Sequence, residues 1–144
     1  YNVNVLSPIL IMKYIIANMK KNNFGRVVNI TSGAPLNCFK GFSLYSSTKA
    51  SLNSITITAS KEIEEKNVTI NLVSPGPIKT NMTSGMKAKF FTMDQAVSDI
   101  SKLLSITNKM NGKFIWRGRI LPLFPSLKGI KWLEGKASKE YKKI

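Results

Sequence analysis

Apolar residues crowd most of the helical circumference of "VLSPILIMKYIIANM", residues 5–19. A half-buried strand alternates with a period of two, and a surface helix shows a single apolar stripe. A run this long and this evenly apolar predicts a helix over residues 4–21, buried on two sides. Pro8 falls in its first turn, where a missing N–H costs little, and "KKNN" followed by "FG" closes it. "GRVVNIT", 25–31, is a short β-branched run after Gly25 and predicts a buried strand. A loop with Gly33, Pro35 and Gly41 leads to a second long helix at about 46–66, ending in the charged cluster "KEIEEK". "NVTINLVS", 67–74, predicts another strand, stopped by "PGP". Residues 79–91 are rich in Lys, Met and Phe and show no period. Thr92 with Gln95 three residues on predicts a capping box for a helix at 93–107, and "GKFIW", 112–116, a third strand after an Asn-Gly turn.

This alternation of helix and strand predicts an α/β fold in which three parallel strands are joined by helical crossovers. Open sheets of this kind place their chemistry in loops at the carboxyl ends of the strands. Two such loops, "NITSGAP" and "SPGPIKT", leave the same edge. Near the first lies the start of the second helix, with "SLYSSTKAS" at 43–51. Tyr45 and Lys49 are four apart, one turn along the same helical face. Such a pair is either an ordinary surface contact or a tuned acid, and the shared sheet edge favours the second.

Composition narrows the chemistry. The chain has 144 residues, one domain's worth or a piece of one, and it opens at Tyr1 within an apolar run, so further upstream sequence is expected. It contains no His and one Cys, Cys38. A Ser-His-Asp or Cys-His nucleophile therefore has no base, zinc has no His/Cys ligand set, and a disulfide framework is impossible. Lone Cys38 fits a reducing compartment and reads as a small, half-buried residue. The net charge of +15 would attract a nucleotide, nucleic acid or acidic membrane. Part of it is a tail property, since residues 113–144 hold nine Lys/Arg against two Glu, and the scattered lysines of a chain rich in Asn and Ile read either as attraction for such a partner or as compositional bias. The longest apolar run contains Lys13 and is shorter than the ~18 uncharged residues of a spanning helix, and no signal-peptide cleavage pattern follows it, so a cytoplasmic protein without a membrane span is expected. Residues 126–144 form a basic tail, or a short amphipathic helix carrying Trp132 and Leu133.

"VNVLSP", "GRVVNITSGA", "YSSTK" with Tyr45 thirteen residues after Ser32, and "NLVSPGPIKTNM" together resemble the short-chain dehydrogenase/reductase family. The likeness covers residues 3–82 and, more loosely, extends to about 116. It implies a Rossmann-like doubly wound parallel sheet and an NAD(P)-dependent oxidoreductase interconverting an alcohol and a carbonyl by hydride transfer. It also implies a catalytic set of Ser32, Tyr45, Lys49 and Asn4. A free phenol titrates near ~10, and a neighbouring ammonium favours its ionised form. On this basis Tyr45 would act as general acid in reduction and base in oxidation, and Ser32 would hold the substrate oxygen. Lys49 would also contact the nicotinamide ribose, and Asn4 would hold a water linking Lys49 to solvent. Tyr45 and Lys49, with Pro75, Gly76, Ile78 and Thr80 from the loop beneath the nicotinamide, would bind NAD or NADP. Met82, Met86, Phe90 and Phe91 either wall the substrate pocket as a lid or belong to the core.

The resemblance is incomplete. The glycine-rich turn that cradles a dinucleotide pyrophosphate, and the residue that selects NAD or NADP, have no counterpart in these residues. "GKFIWRGRILPLFP" also stands where the family's usual closing strand and glycine pair are expected. The expectation is a single partial domain, the C-terminal part of a longer enzyme and inactive alone. The complete protein is expected to be a homodimer or tetramer, paired through its two long helices by outward apolar residues such as Met12 and Ile16. The alternative is a catalytically silent remnant or binding protein of dinucleotide fold. A basic nucleic-acid or lipid binder lacks the aromatic-interleaved basic motif it would need.

Overall fold

Ser7–Lys21 folds as helix α1, with Pro8 in its first turn and Lys20 and Lys21 in its last, at the negative end of the helix dipole. The chain enters α1 through a wider π-helical turn, Asn2–Leu6, in which the Leu6 N–H reaches back to the Tyr1 carbonyl at 3.2 Å. The computed structural model describes residues 1–65 and 67–123; the expected tail or helix at 126–144, with Trp132 and Leu133, lies outside them.

Three strands form where the sequence predicts them: β1 (Gly25–Ile30) and β2 (Val68–Ser74), both rich in β-branched residues, and β3 (Phe114–Trp116), largely aromatic. All three are parallel, with Val27 opposite Ile70 and Leu72 opposite Phe114. The expectation of three strands is corrected by a fourth. β4 (Arg119–Leu121) returns antiparallel to β3, giving the order β1-β2-β3-β4. The reversal is made by Arg117 and Gly118 at φ 52° and 73°, and two consecutive positive φ values suit the twist of a tight hairpin. A short β4 with exposed Arg119 and Ile120 carries too little apolar alternation to be read from sequence.

Every residue of β2 is buried, as expected of a central strand covered on both faces. On one face Ile70 packs with Met12 and Val27, and with Ile15, Ile16 and Ile55 from the two long helices. On the other, Val73 packs with Leu103 and Ile115. Burying each such side chain contributes roughly 1.5–3 kcal/mol. Asn71, wholly buried within β2, is satisfied by donating to the Met110 carbonyl at 2.7 Å and accepting from the Lys113 N–H at 3.0 Å.

Helix α2 (Ala34–Asn37) is a single turn in the loop after β1, not expected from sequence. Helix α3 spans Ser43–Lys61, so it begins earlier and ends earlier than the expected 46–66. It stops short because Glu62, Glu64 and Glu65 would place like negative charge on the negative end of the helix dipole. Helix α4 (Met93–Leu104) is capped as the sequence implies: Gln95 N–H donates to Thr92 Oγ1 at 3.2 Å, and Thr92 N–H to Gln95 Oε1 at 3.0 Å. Met12 is corrected from an outward to a core residue, 4% exposed, with half-buried Ile16 packed against the same cluster. The apolar residues α1 does present outward are Leu10, Ile11 and Tyr14. Among the described residues no helix is long and apolar enough to cross a membrane.

Candidate active site

The carboxyl edge of the sheet is built where β1 and β2 run out side by side. Thr31 extends their ladder by one residue, its N–H donating to the Val73 carbonyl at 2.8 Å. Ser32 follows at once, so its position is set by the strand end rather than by the loop. Its Oγ accepts a hydrogen bond from the Ala34 N–H at 3.1 Å. That leaves the hydroxyl proton free to be donated outward.

Tyr45 is the third residue of α3 and is half-buried. Lys49, one turn on, does not simply point into solvent: its Nζ donates to the carbonyl of Ile30, the last residue of β1, at 2.9 Å. This bond ties the start of α3 to the strand end two residues before Ser32. The same ammonium lies 5.9 Å from the centre of the Tyr45 ring. Partial burial holds Lys49 below the ordinary lysine range, because the charged form loses hydration.

A buried polar seam, not anticipated from the sequence, seats α3 on β1. Thr31 Oγ1 donates to Asn53 Oδ1 at 2.5 Å, and Asn29 Nδ2 donates to Thr56 Oγ1 at 2.8 Å. Thr31, Asn53 and Thr56 are all essentially inaccessible. The signal in the sequence is faint: polar residues at Asn53 and Thr56 hold helix positions whose neighbours Leu52 and Ile55 are apolar, which only the register against β1 explains. Both pairs lie on the face that carries Lys49 toward Ile30.

Asn4 approaches the site from the helix that precedes β1. It lies in the π-helical turn, and its Nδ2 donates to the Thr48 hydroxyl at 3.2 Å, which in turn donates to the Tyr45 carbonyl at 2.8 Å. Asn4 is thus connected to Tyr45 through Thr48 and the backbone. Single π-turns recur at functional sites.

The second loop is partly occupied by its own chain. Gly76 adopts φ 82°, and a Cβ there would come within 2.9 Å of the Phe91 ring. The close approach that glycine permits is therefore to Phe91, whose N–H also donates to the Pro77 carbonyl at 2.9 Å. Phe91 pairs with Ile78 in an isolated parallel bridge. The Arg117 guanidinium lies over Phe91 at 4.0 Å and over Trp116 at 5.1 Å. Phe91 is accordingly a packing residue, while Met82 is 88% exposed and Met86 also faces out, so this segment neither forms one core nor one wall. Pro75 is half-buried at the end of β2. Thr80 is exposed, its N–H donating to Thr83 Oγ1 at 2.9 Å and its hydroxyl 3.3 Å from the same atom, so it serves as a cap for the 3₁₀ turn Asn81–Thr83.

Ser32, Tyr45 and Lys49 are thus gathered at one sheet edge, Asn4 is linked to them at one remove, and Pro75, Gly76, Ile78 and Thr80 form the adjoining loop. Such an arrangement can donate a hydrogen bond and a proton to an oxygen held between the strand end and the helix start. Among the described residues no group of His, Cys, Asp or Glu is disposed to hold a metal.

Comparison with known proteins points the same way. The family model described as short chain dehydrogenase matches residues 1–90. An L-xylo-3-hexulose reductase of Hypocrea jecorina is 30% identical over 105 residues, which cover 73% of this chain and 34% of the relative. A 3-oxoacyl-[acyl-carrier-protein] reductase of Synechocystis is 36% identical over 88 residues, covering 61% of this chain and 36% of the relative. The chain therefore spans about a third of the length of the curated relatives it matches. Among solved structures, ElxO with NADP bound is similar at a TM-score of 0.72 and 30% identity, over 80% of this chain and 54% of that one.

Proposed function

The chain belongs to the short-chain dehydrogenase family, and on that premise we propose that the complete protein is an NAD(P)-dependent oxidoreductase that interconverts a carbonyl compound and its alcohol. The observation that carries this reading is the Lys49–Ile30 bond, which fixes the helix start bearing Tyr45 against the strand end bearing Ser32.

In the reductive direction Tyr45 Oη gives its proton to the substrate oxygen, and Ser32 donates a hydrogen bond to the same atom, its lone pair already turned toward Ala34. Negative charge then develops on the substrate oxygen and passes to the phenol. The Lys49 ammonium, 5.9 Å from the centre of the Tyr45 ring, offsets it. Asn4 and Thr48 act on the Tyr45 backbone rather than on the reacting oxygen.

Lys49 suits the ribose of a nicotinamide dinucleotide: an ammonium carries three donors, and one is spent on Ile30. Pro75, Gly76, Ile78 and Thr80 form the loop that would lie along it, although the Thr80 hydroxyl is shared with Thr83 and Gly76 is covered on one side by Phe91. When bound, the reduced cofactor supplies the hydride and leaves oxidised. The reading takes NAD or NADP as cofactor, a homodimer or tetramer as the assembly, the cytoplasm as the location, and these residues as the catalytic and nicotinamide side of the domain, with the pyrophosphate-binding turn supplied by sequence outside them.

Replacing Tyr45 by Phe in the complete protein should abolish oxidation of NADH or NADPH by carbonyl substrates while dinucleotide binding, followed by nicotinamide fluorescence, persists. A Tyr45→Phe protein that turns over at the wild-type rate would overturn the assignment. A wild type that binds the dinucleotide yet reduces nothing across a broad carbonyl panel would make it a silent member of the fold.

A further inference from the structure

Between Ser32 and Tyr45 the chain exposes more apolar surface than a connecting loop needs. Leu36 is 46% exposed, Phe39 54% and Phe42 37%. The two phenyl rings are not scattered. Phe39 and Phe42 meet edge-to-face with centres 6.1 Å apart, and Phe42 meets the Tyr45 ring in the same way at 6.1 Å. The result is a continuous aromatic row that ends on the phenol itself.

The loop holds this row in place by its own backbone. Cys38 closes α2 in the left-handed region at φ 50°, with its N–H on the Ala34 carbonyl at 3.1 Å. The Phe42 N–H donates to the Phe39 carbonyl at 3.1 Å, and the Ser46 N–H to the Phe42 carbonyl at 2.7 Å. Polar side chains are scarce here. From residue 33 to 42 there are only Asn37, whose amide is committed to the Gly33 carbonyl at 2.7 Å, and Lys40.

We infer that the substrate is an apolar ketone, an alkyl or acyl chain or an aryl group, whose body lies along Phe42 and Phe39 while its carbonyl meets Tyr45 and Ser32. The inference rests on the oxidoreductase reading and names its substrate class. A polyhydroxylated substrate placed on the same row would leave several hydroxyls facing carbon, each losing its hydrogen bonds to water without replacement. An aliphatic or aryl body loses nothing there, and gains the removal of its own surface and of two exposed rings from water.

The test uses the complete protein and methyl ketones of increasing length, from 2-butanone to 2-decanone, beside a ketohexose. Half-burial of each added methylene should raise kcat/KM roughly twofold per carbon. Phe39→Ala and Phe42→Ala should flatten that dependence, whereas Leu104→Ala, an exposed apolar residue at the end of α4, should leave it unchanged. Binding is read separately from turnover by the rate at which iodoacetamide alkylates exposed Cys38, one residue from Phe39. Saturating 2-octanone should slow it severalfold, and ketohexose should not. A ketohexose preferred over 2-octanone, or no dependence on chain length, overturns the apolar class while leaving the oxidoreductase reading intact. Protection of Cys38 by 2-octanone without any turnover does the reverse. Loss of both protection and turnover overturns both.

Discussion

The seam between β1 and α3 gives the sharpest quantitative expectation. Thr31 and Asn53 are 4% and 3% exposed, and their side chains are 2.5 Å apart. Asn53→Ala removes the acceptor and leaves a buried hydroxyl without a partner, at a cost of about 1–3 kcal/mol. The void left by the missing carboxamide adds about 1 kcal/mol. The sum, about 2–4 kcal/mol, corresponds to a melting point lower by about 5–15 °C in a domain of 150–250 residues. Thr31→Val removes the other half of the bond with little change of shape. If the pair acts as a unit, the double variant should be more stable than the two single losses added together, by at least about 1 kcal/mol. Denaturant unfolding of the complete protein and its three variants measures this directly. Additivity within about 0.5 kcal/mol would refute the idea that the pair is coupled. Because Asn53 lies one turn beyond Lys49, the single variants should also lose turnover below the melting transition, where the wild type is fully active.

Other expectations are independent of that seam. Gly76→Ala combines an unfavourable positive φ with a Cβ 2.9 Å from Phe91, so it should cost about 1–3 kcal/mol of unfolding free energy and lower the denaturant midpoint; an unchanged midpoint would mean that the loop relaxes freely. Lys49 is held below its ordinary value of 10.5 by burial. The unfolded chain therefore binds more protons than the folded one between the lowered value and 10.5, and the stability linked to Lys49 rises with pH across that window. Urea midpoints of the wild type measured against Lys49→Met over the alkaline range should show that rise, and the opposite slope would count against burial as its cause. Arg117→Ala should remove a cation lying over both Phe91 and Trp116, cost about 0.5–2 kcal/mol and shift tryptophan emission to the red; emission that stays put would mean Trp116 is not shielded by Arg117.

Much of this architecture is written in local pattern. The three parallel strands are β-branched or aromatic runs bounded by glycine, proline or a polar turn, and the α4 cap is spelled by Thr92 and Gln95. The gathering of Ser32, Tyr45 and Lys49 at one edge followed from the order of strands and helices. What was illegible depends on partners distant in sequence. β4 is too short to announce itself and exists because Arg117 and Gly118 can turn the chain back onto β3. The partner of the Asn4 amide, Thr48, is forty-four residues away and could not be read from the residues around Asn4. Gly76 signals a close approach, but the sequence does not say whether to a ligand or to Phe91. The early end of α3 was legible in principle, since three glutamates are poor company for a helix C-terminus.

The hairpin that appends β4 has a directional consequence. It ends the described sheet on one flank with a strand running backwards, so a further neighbour running the same way as the three parallel strands finds a parallel partner, among the described strands, at the flank of β1. Any chain laid there in the same sense would finish at the same height as Ser32. Whatever covers that flank therefore shapes the entrance through which a reactant arrives.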